Sequence, residues 1–209
     1  MVLINSSSRK LDLTFTKLSP VQSDWLFASL ENNNSLRLTT ASFKAANLQH
    51  VKPDTLAAVI VRLEKVNLSF TELTREQLTA LFERINKRNN VSLKDIELFS
   101  VDLSPVSEKL LGKAVSRLEN ANLSNTELTQ EQIQEILKSI LDTKSPIKLL
   151  NLDFSEVFSI SDQLFAKSLS LVCSVSLACS GKSQEILFVK SVKLIQVDQN
   201  EIFSQLFPQ

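Results

Sequence analysis

The chain has 209 residues, 43% hydrophobic and 22% charged, the composition of a folded domain and not of a disordered segment. Lys+Arg and Asp+Glu both number 23, so no net field draws it toward nucleic acid or an anionic membrane. No stretch is long and apolar enough to span a bilayer, and the Val2-Leu3-Ile4 run is too short for a secretory signal. Cys173 and Cys179 alone cannot build a disulfide framework, so a reducing, cytoplasmic setting is expected. The N-x-S sequons at Asn5, Asn33, Asn67, Asn90 and Asn122 are then expected to be chance.

Taken in order, the chain offers eight strand–helix units. A partial first unit, 8–35, has Leu11, Leu13 and Leu18, then Ser19-Pro20 opening a helix with Trp25, Leu26 and Leu30. Proline suits the first helical position, where its missing amide would have been unbonded anyway. The second unit has Leu38, Ala41, Phe43 and Leu48, then a helix from Pro53 to about Arg62. The third begins at Leu63. The fourth has Leu93, Ile96, Leu98 and Leu103, with Ser104-Pro105 leading into Leu110, Leu111, Ala114 and Val115. The fifth has Leu118, Ala121, Leu123 and Leu128 and a helix over 130–141. The sixth has Ile147, Leu150, Leu152 and Val157, with a helix through Leu164, Phe165 and Leu169. The seventh has Val172, Val175 and Leu177 and a weaker helix near Ile186 and Leu187. The last, 192–209, has Val192, Ile195, Val197 and Ile202.

The third and fifth units are near copies. Residues 118–140 match residues 63–85 at 12 of 23 positions, at a constant offset of 118 − 63 = 55. That is a repeat protein, and the starts of successive units alternate between longer and shorter spacings, so the true period is a pair of units. Within the third unit Leu63, Val66, Leu68, Thr71 and Leu73 give LxxLxLxxTxL, whose central part alternates as a strand with one buried face does. Thr74-Arg75-Glu76-Gln77 reads as a capping box, and Leu78, Leu81, Phe82 and Ile85 form one helical stripe.

LxxLxL followed by a helix resembles the leucine-rich repeat, and the alternation of two unit types resembles its ribonuclease-inhibitor-like class. The resemblance implies an α/β solenoid: an open, curved horseshoe with parallel strands on the concave face and helices on the convex face, one domain over 1–209. The family's asparagine or cysteine at the ninth position is here Thr16, Ala46, Thr71, Val101, Thr126 and Ser155, becoming Asn200 only at the end. Threonine can bond the turn backbone in part; alanine and valine cannot, so irregularity is expected at Ala46 and Val101.

With the leucines inward, the exposed row reads Asp12, Ser42, Asn67, Glu97, Asn122, Asn151, Ser176 and Gln196, polar and without a lysine or arginine. Phe15, Phe70, Phe99 and Phe154 follow two or three residues later, outside the core pattern. They either fold over the strand-to-turn corner onto the core or anchor a partner, and the spacing leaves both open. Asp12, Glu97 and Asp153 show no paired spacing for acid–base work. His50 is the only histidine, in a loop, and two buried or half-buried thiols are too few for structural zinc. Gly112 and Gly181, the only glycines, exclude a phosphate loop. The basic Arg84, Lys87 and Arg88 complement a helix end. The expectation is a non-enzymatic scaffold without cofactor or metal that binds a protein partner through Phe15, Phe70, Phe99, Phe154, Asp12, Asn67, Glu97, Asn122 and Asn151. The alternative is a structural subunit held in a larger complex by its ends and helices.

Overall fold

A computed structural model of the chain describes residues 9–33, 37–87, 91–143, 145–153, 155 and 160–177. Each LxxLxL yields a strand of three residues: β1 (Lys10–Asp12), β2 (Thr40–Ser42), β3 (Lys65–Asn67), β4 (Asp95–Glu97), β5 (Asn120–Asn122), β6 (Leu149–Asn151) and β7 (Ser174–Ser176). They form one open sheet in chain order, every pair parallel. The helices α1 (Pro20–Asn32), α2 (Pro53–Ile60), α3 (Arg75–Asn86), α4 (Glu108–Val115), α5 (Gln130–Thr143) and α6 (Asp162–Leu169) alternate with the strands. None of the described helices is long and apolar enough to cross a membrane.

Register follows burial. Leu11, Ala41, Val66, Ile96, Ala121 and Leu150 are Cα partners across successive strands, and all six are buried. The leucine or phenylalanine two residues on (Leu13, Phe43, Leu68, Leu98, Leu123, Leu152) stacks as a second buried column. Because side chains alternate faces along a strand, a one-residue slip would turn both columns to water. Leu78, Leu81, Phe82 and Ile85 close the core from α3, each at most 2% exposed. The core runs without interruption from Leu11 to Val172.

The paired period is visible in the helices. α1, α3 and α5 have 13, 12 and 14 residues, whereas α2, α4 and α6 have 8 each. The long helices start with the same device at offsets of 55, Ser19/Gln22, Thr74/Gln77 and Thr129/Gln132: the hydroxyl accepts the Gln backbone N–H, and the Gln side-chain oxygen accepts the Ser or Thr backbone N–H. Gln77 and Gln132 are buried and do more. The Gln77 Nε2 group donates to the Leu48 and Val51 carbonyls at 2.7 Å each, and Gln132 donates to Leu103 at 2.8 Å and Val106 at 2.6 Å. One amide thus caps its own helix and holds the turn of the preceding unit. Arg62 and Arg117 repeat this logic from the other end, donating to the last carbonyls of α1 and α3.

Two sequence expectations need correction. The Ala46 and Val101 units are not irregular: they keep the same register and the same turn bond, Ala46 N–H to Phe43 O at 2.9 Å and Val101 N–H to Leu98 O at 3.0 Å. Thr71 and Thr126 add a hydroxyl bond to the Leu68 and Leu123 carbonyls, but the turn closes without one. Ser104-Pro105 leads into α4 by way of a turn from Leu103 to Val106 that Gln132 holds, and α4 starts at Glu108. Cys173 is exposed, standing just before β7 and not inside the core. The last unit, the helix near Ile186, Val2–Ile4, Cys179 and Phe154 lie outside the described residues.

Candidate functional site

The outward side chains of β2–β6 line a groove of about 440 Å³ on the open sheet face. The expected row is there: Ser42, Asn67 and Asn122 are half-buried and Glu97 exposed, each third in its strand. The first residue of each strand points the same way, since residues two apart share a face. That second row, Lys10, Thr40, Lys65, Asp95, Asn120, Leu149 and Ser174, was the signal that reading only the third position missed. It puts lysine on the face after all.

Much of this polarity is spoken for. Lys65 pairs with Asp95 at 2.6 Å, and that hydrogen bond with its Coulombic pull holds the ammonium above its ordinary pKa. Asn120 donates to Asp95 at 2.5 Å and Asn122 to Glu97 at 2.7 Å. Where the chain enters the strands, Glu119 lies between Lys148 at 2.5 Å and Lys94 at 3.5 Å. The Lys148 hydrogen bond depresses the carboxyl pKa and raises that of the lysine.

Asp12, Asn67, Asn122 and Asn151 carry a structural role that residue type alone announced but the sequence reading assigned to binding. Each accepts the backbone N–H two residues on, from Thr14, Ser69, Ser124 and Asp153, at 2.9–3.1 Å. These are Asx turns, which bend the strand toward the helix. The Thr14 hydroxyl and amide both lower the Asp12 pKa. Glu97, one methylene longer, makes no such turn among the described bonds and accepts from Asn122 instead.

The phenylalanines lie at the rim where strands end. Phe15 is 70% exposed and Phe70 47%, so neither folds onto the core, while Phe99 is half-buried. Phe70 and Phe99 meet edge-on with ring centroids 5.0 Å apart. The Lys44 ammonium lies 5.4 Å from the Phe70 ring and 6.0 Å from that of Phe15, within cation–π range. Their backbone is the surprise: Phe15 and Phe70 have φ of 57° and 59°, a left-handed conformation costly for a bulky residue. Ala45, Ser100 and Asn125 take it at the same place in their units. The turn demands it, because the amide of this residue bonds across to the next unit, Phe70 to Phe99 O at 2.9 Å and Phe15 to Lys44 O at 2.8 Å.

His50 is exposed in its turn, and no cluster of three or more His, Cys, Asp or Glu side chains could hold a metal ion among the described residues. Gly112 is a packing residue: a Cβ there would stand 2.7 Å from the Glu135 carbonyl oxygen of α5. Compared with known proteins, the chain matches no family model and no curated protein.

Proposed function

We propose that the chain is a leucine-rich-repeat solenoid of the ribonuclease-inhibitor-like class, and that it serves as a non-enzymatic scaffold taking a protein partner on its concave sheet face. The observation that supports this is the groove across β2–β6, lined by outward polar side chains of β2–β5 and by Leu149 of β6, with exposed Phe15 and Phe70 at the strand ends. Exposed aromatics beside polar groups are the material of interface hot spots. The test is photo-crosslinking from Asn120 on the sheet face and from Lys138 on α5, in lysate of the source cells, with and without Thr40→Arg. A partner captured from Asn120 and lost with Thr40→Arg fits the reading. Capture from Lys138 alone, indifferent to Thr40→Arg, refutes it.

A second reading, a subunit embedded in a larger complex, draws on α1. Val21 is 77% and Trp25 57% exposed, and with the exposed Ala28 they line one stripe four and three residues apart. Trp25 is the only tryptophan and there is no tyrosine, so intrinsic fluorescence reports this stripe alone. Emission of the purified chain like that of the unfolded chain, blue-shifted by a partner and abolished as a binding signal by Val21→Ser, favours the subunit reading.

A further inference from the structure

We infer that the phenylalanine rim is a docking ridge for a short basic segment of a partner protein, an inference that rests on the protein-binding reading above and gives it a chemistry. Phe15, Phe70 and Phe99 and the Lys44 side chain run over four successive turns, one strand spacing, roughly 4.8 Å, per unit. Two residues past the left-handed position the chain places Glu72, Asp102 and Glu127, all exposed, in the third, fourth and fifth turns. The aromatic strip and the acidic row therefore overlap on the third and fourth.

The balance of charge decides the sign of the partner. On the sheet face and at the strand entries Asp95 has Lys65 and Glu119 has Lys94 and Lys148, while Asp12 and Glu97 have neutral donors, Thr14 and Asn122. On the ridge the acids have only neutral donors. Glu72 accepts from the Gln49 amide at 2.7 Å and Asp102 from the Ser104 hydroxyl and N–H, and none of the three acids is in an ion pair among the described residues. Lys44 shows how a cation sits here, over the faces of Phe15 and Phe70. An arginine or lysine of a partner lies over the Phe70–Phe99 pair in the same way, and its neighbours reach Glu72, Asp102 and Glu127. Arginine is the better fit, since its planar, weakly hydrated guanidinium stacks on rings and pairs with carboxylates at once.

The experiment is fluorescence anisotropy of the whole chain with a labelled nine-residue peptide alternating arginine and leucine, beside one with glutamate in place of arginine. The arginine peptide is expected to bind, more weakly as salt rises from 0.05 to 0.5 M. Glu72→Lys/Glu127→Lys is expected to weaken it roughly tenfold, since exposed pairs are each small but are here inverted and not merely removed. Phe70→Asn, which suits the left-handed backbone, is expected to weaken it several-fold with an unchanged circular dichroism spectrum. Failure of the arginine peptide to bind overturns the inference, as does equal binding of the glutamate peptide or indifference to the charge reversal. The broader reading survives such a failure if crosslinking from Asn120 still responds to Thr40→Arg, so the two fail separately.

Discussion

Replacing Gln77 by glutamate separates the two tasks of one buried amide. The carboxylate keeps an oxygen for the Thr74 N–H, now bonded at 3.0 Å, so the capping box persists. What it cannot do is donate to the Leu48 and Val51 carbonyls, which Gln77 now holds at 2.7 Å each while only 1% exposed. Leu48 O keeps the Val51 N–H at 2.9 Å, but Val51 O is left without its donor at about 1–3 kcal/mol, and the buried charge costs at least as much again, about 2–6 kcal/mol together. With a denaturant slope of about 2 kcal/mol per molar urea, the midpoint should fall by about 1–3 M at pH 7, followed by far-ultraviolet circular dichroism. The pH dependence carries the sharper signature. Burial beside carbonyls raises the folded-state pKa of the new carboxyl above its unfolded value, so the folded form binds the extra proton and the variant loses stability as pH rises through that window. At pH 5 the protonated acid donates to one of the two carbonyls, and the gap to the wild type narrows. Gln132→Glu should behave alike, through Leu103 and Val106. Gln22→Glu, at the exposed copy of the same capping box, should leave the midpoint within about 0.5 M. A Gln77→Glu midpoint within about 0.5 M of wild type, or a loss identical at pH 5 and pH 7, refutes the reasoning.

Gly112→Ala should lower the melting temperature although alanine is the better helix former by about 1 kcal/mol, because the new methyl meets the α5 backbone at Glu135; a higher melting temperature would show that α4 and α5 can part freely. Phe70→Asn should be more stable than Phe70→Ala by about 1 kcal/mol in urea unfolding, since both lose the contact with Phe99 but only asparagine relieves the left-handed backbone; equal stabilities would deny the strain. Glu119→Gln should flatten the acid limb of the stability curve slightly. Its carboxyl is held below the ordinary value by Lys148, so its contribution is full above the ordinary carboxylate range and is lost as pH falls through the folded pKa; an acid limb unchanged by the substitution speaks against the bond. That effect is small, as the pair is exposed and salt screens it.

The sheet and helices were legible because the repeat states its own period. LxxLxL fixes which side of each strand is buried, and Thr74-Glu76-Gln77 with its copy at 129–132 marks where the long helices begin. What stayed hidden are contacts between units. Nothing in the local pattern of Gln77 says that its second hand reaches back 26 and 29 residues to Val51 and Leu48. The same holds for Arg62 on α1, and for the snug crossing that makes Gly112 necessary. The turn around Pro105 was hidden for the same reason: it is the copy, 55 residues on, of the Leu48–Val51 turn, and Gln132 holds it as Gln77 holds the first.

The left-handed position explains why the candidate surface was only half visible. A backbone that requires positive φ usually declares itself through glycine or asparagine, yet this chain has two glycines in all and fills the position with Phe15, Ala45, Phe70, Ser100 and Asn125. No shared residue type marks it, so the phenylalanines looked like strays from the core when they are in fact tied by the turn to the rim. The Asx residues show the reverse. Asp12, Asn67, Asn122 and Asn151 stand in the exposed row, yet each catches the amide two residues on. In a repeat array a side chain that returns in several units to make the same backbone bond is one the fold uses. Under the proposed reading, recognition therefore falls to positions whose chemistry changes from unit to unit: the Lys10, Thr40, Lys65, Asp95, Asn120 row and the rim from Phe15 to Asn125.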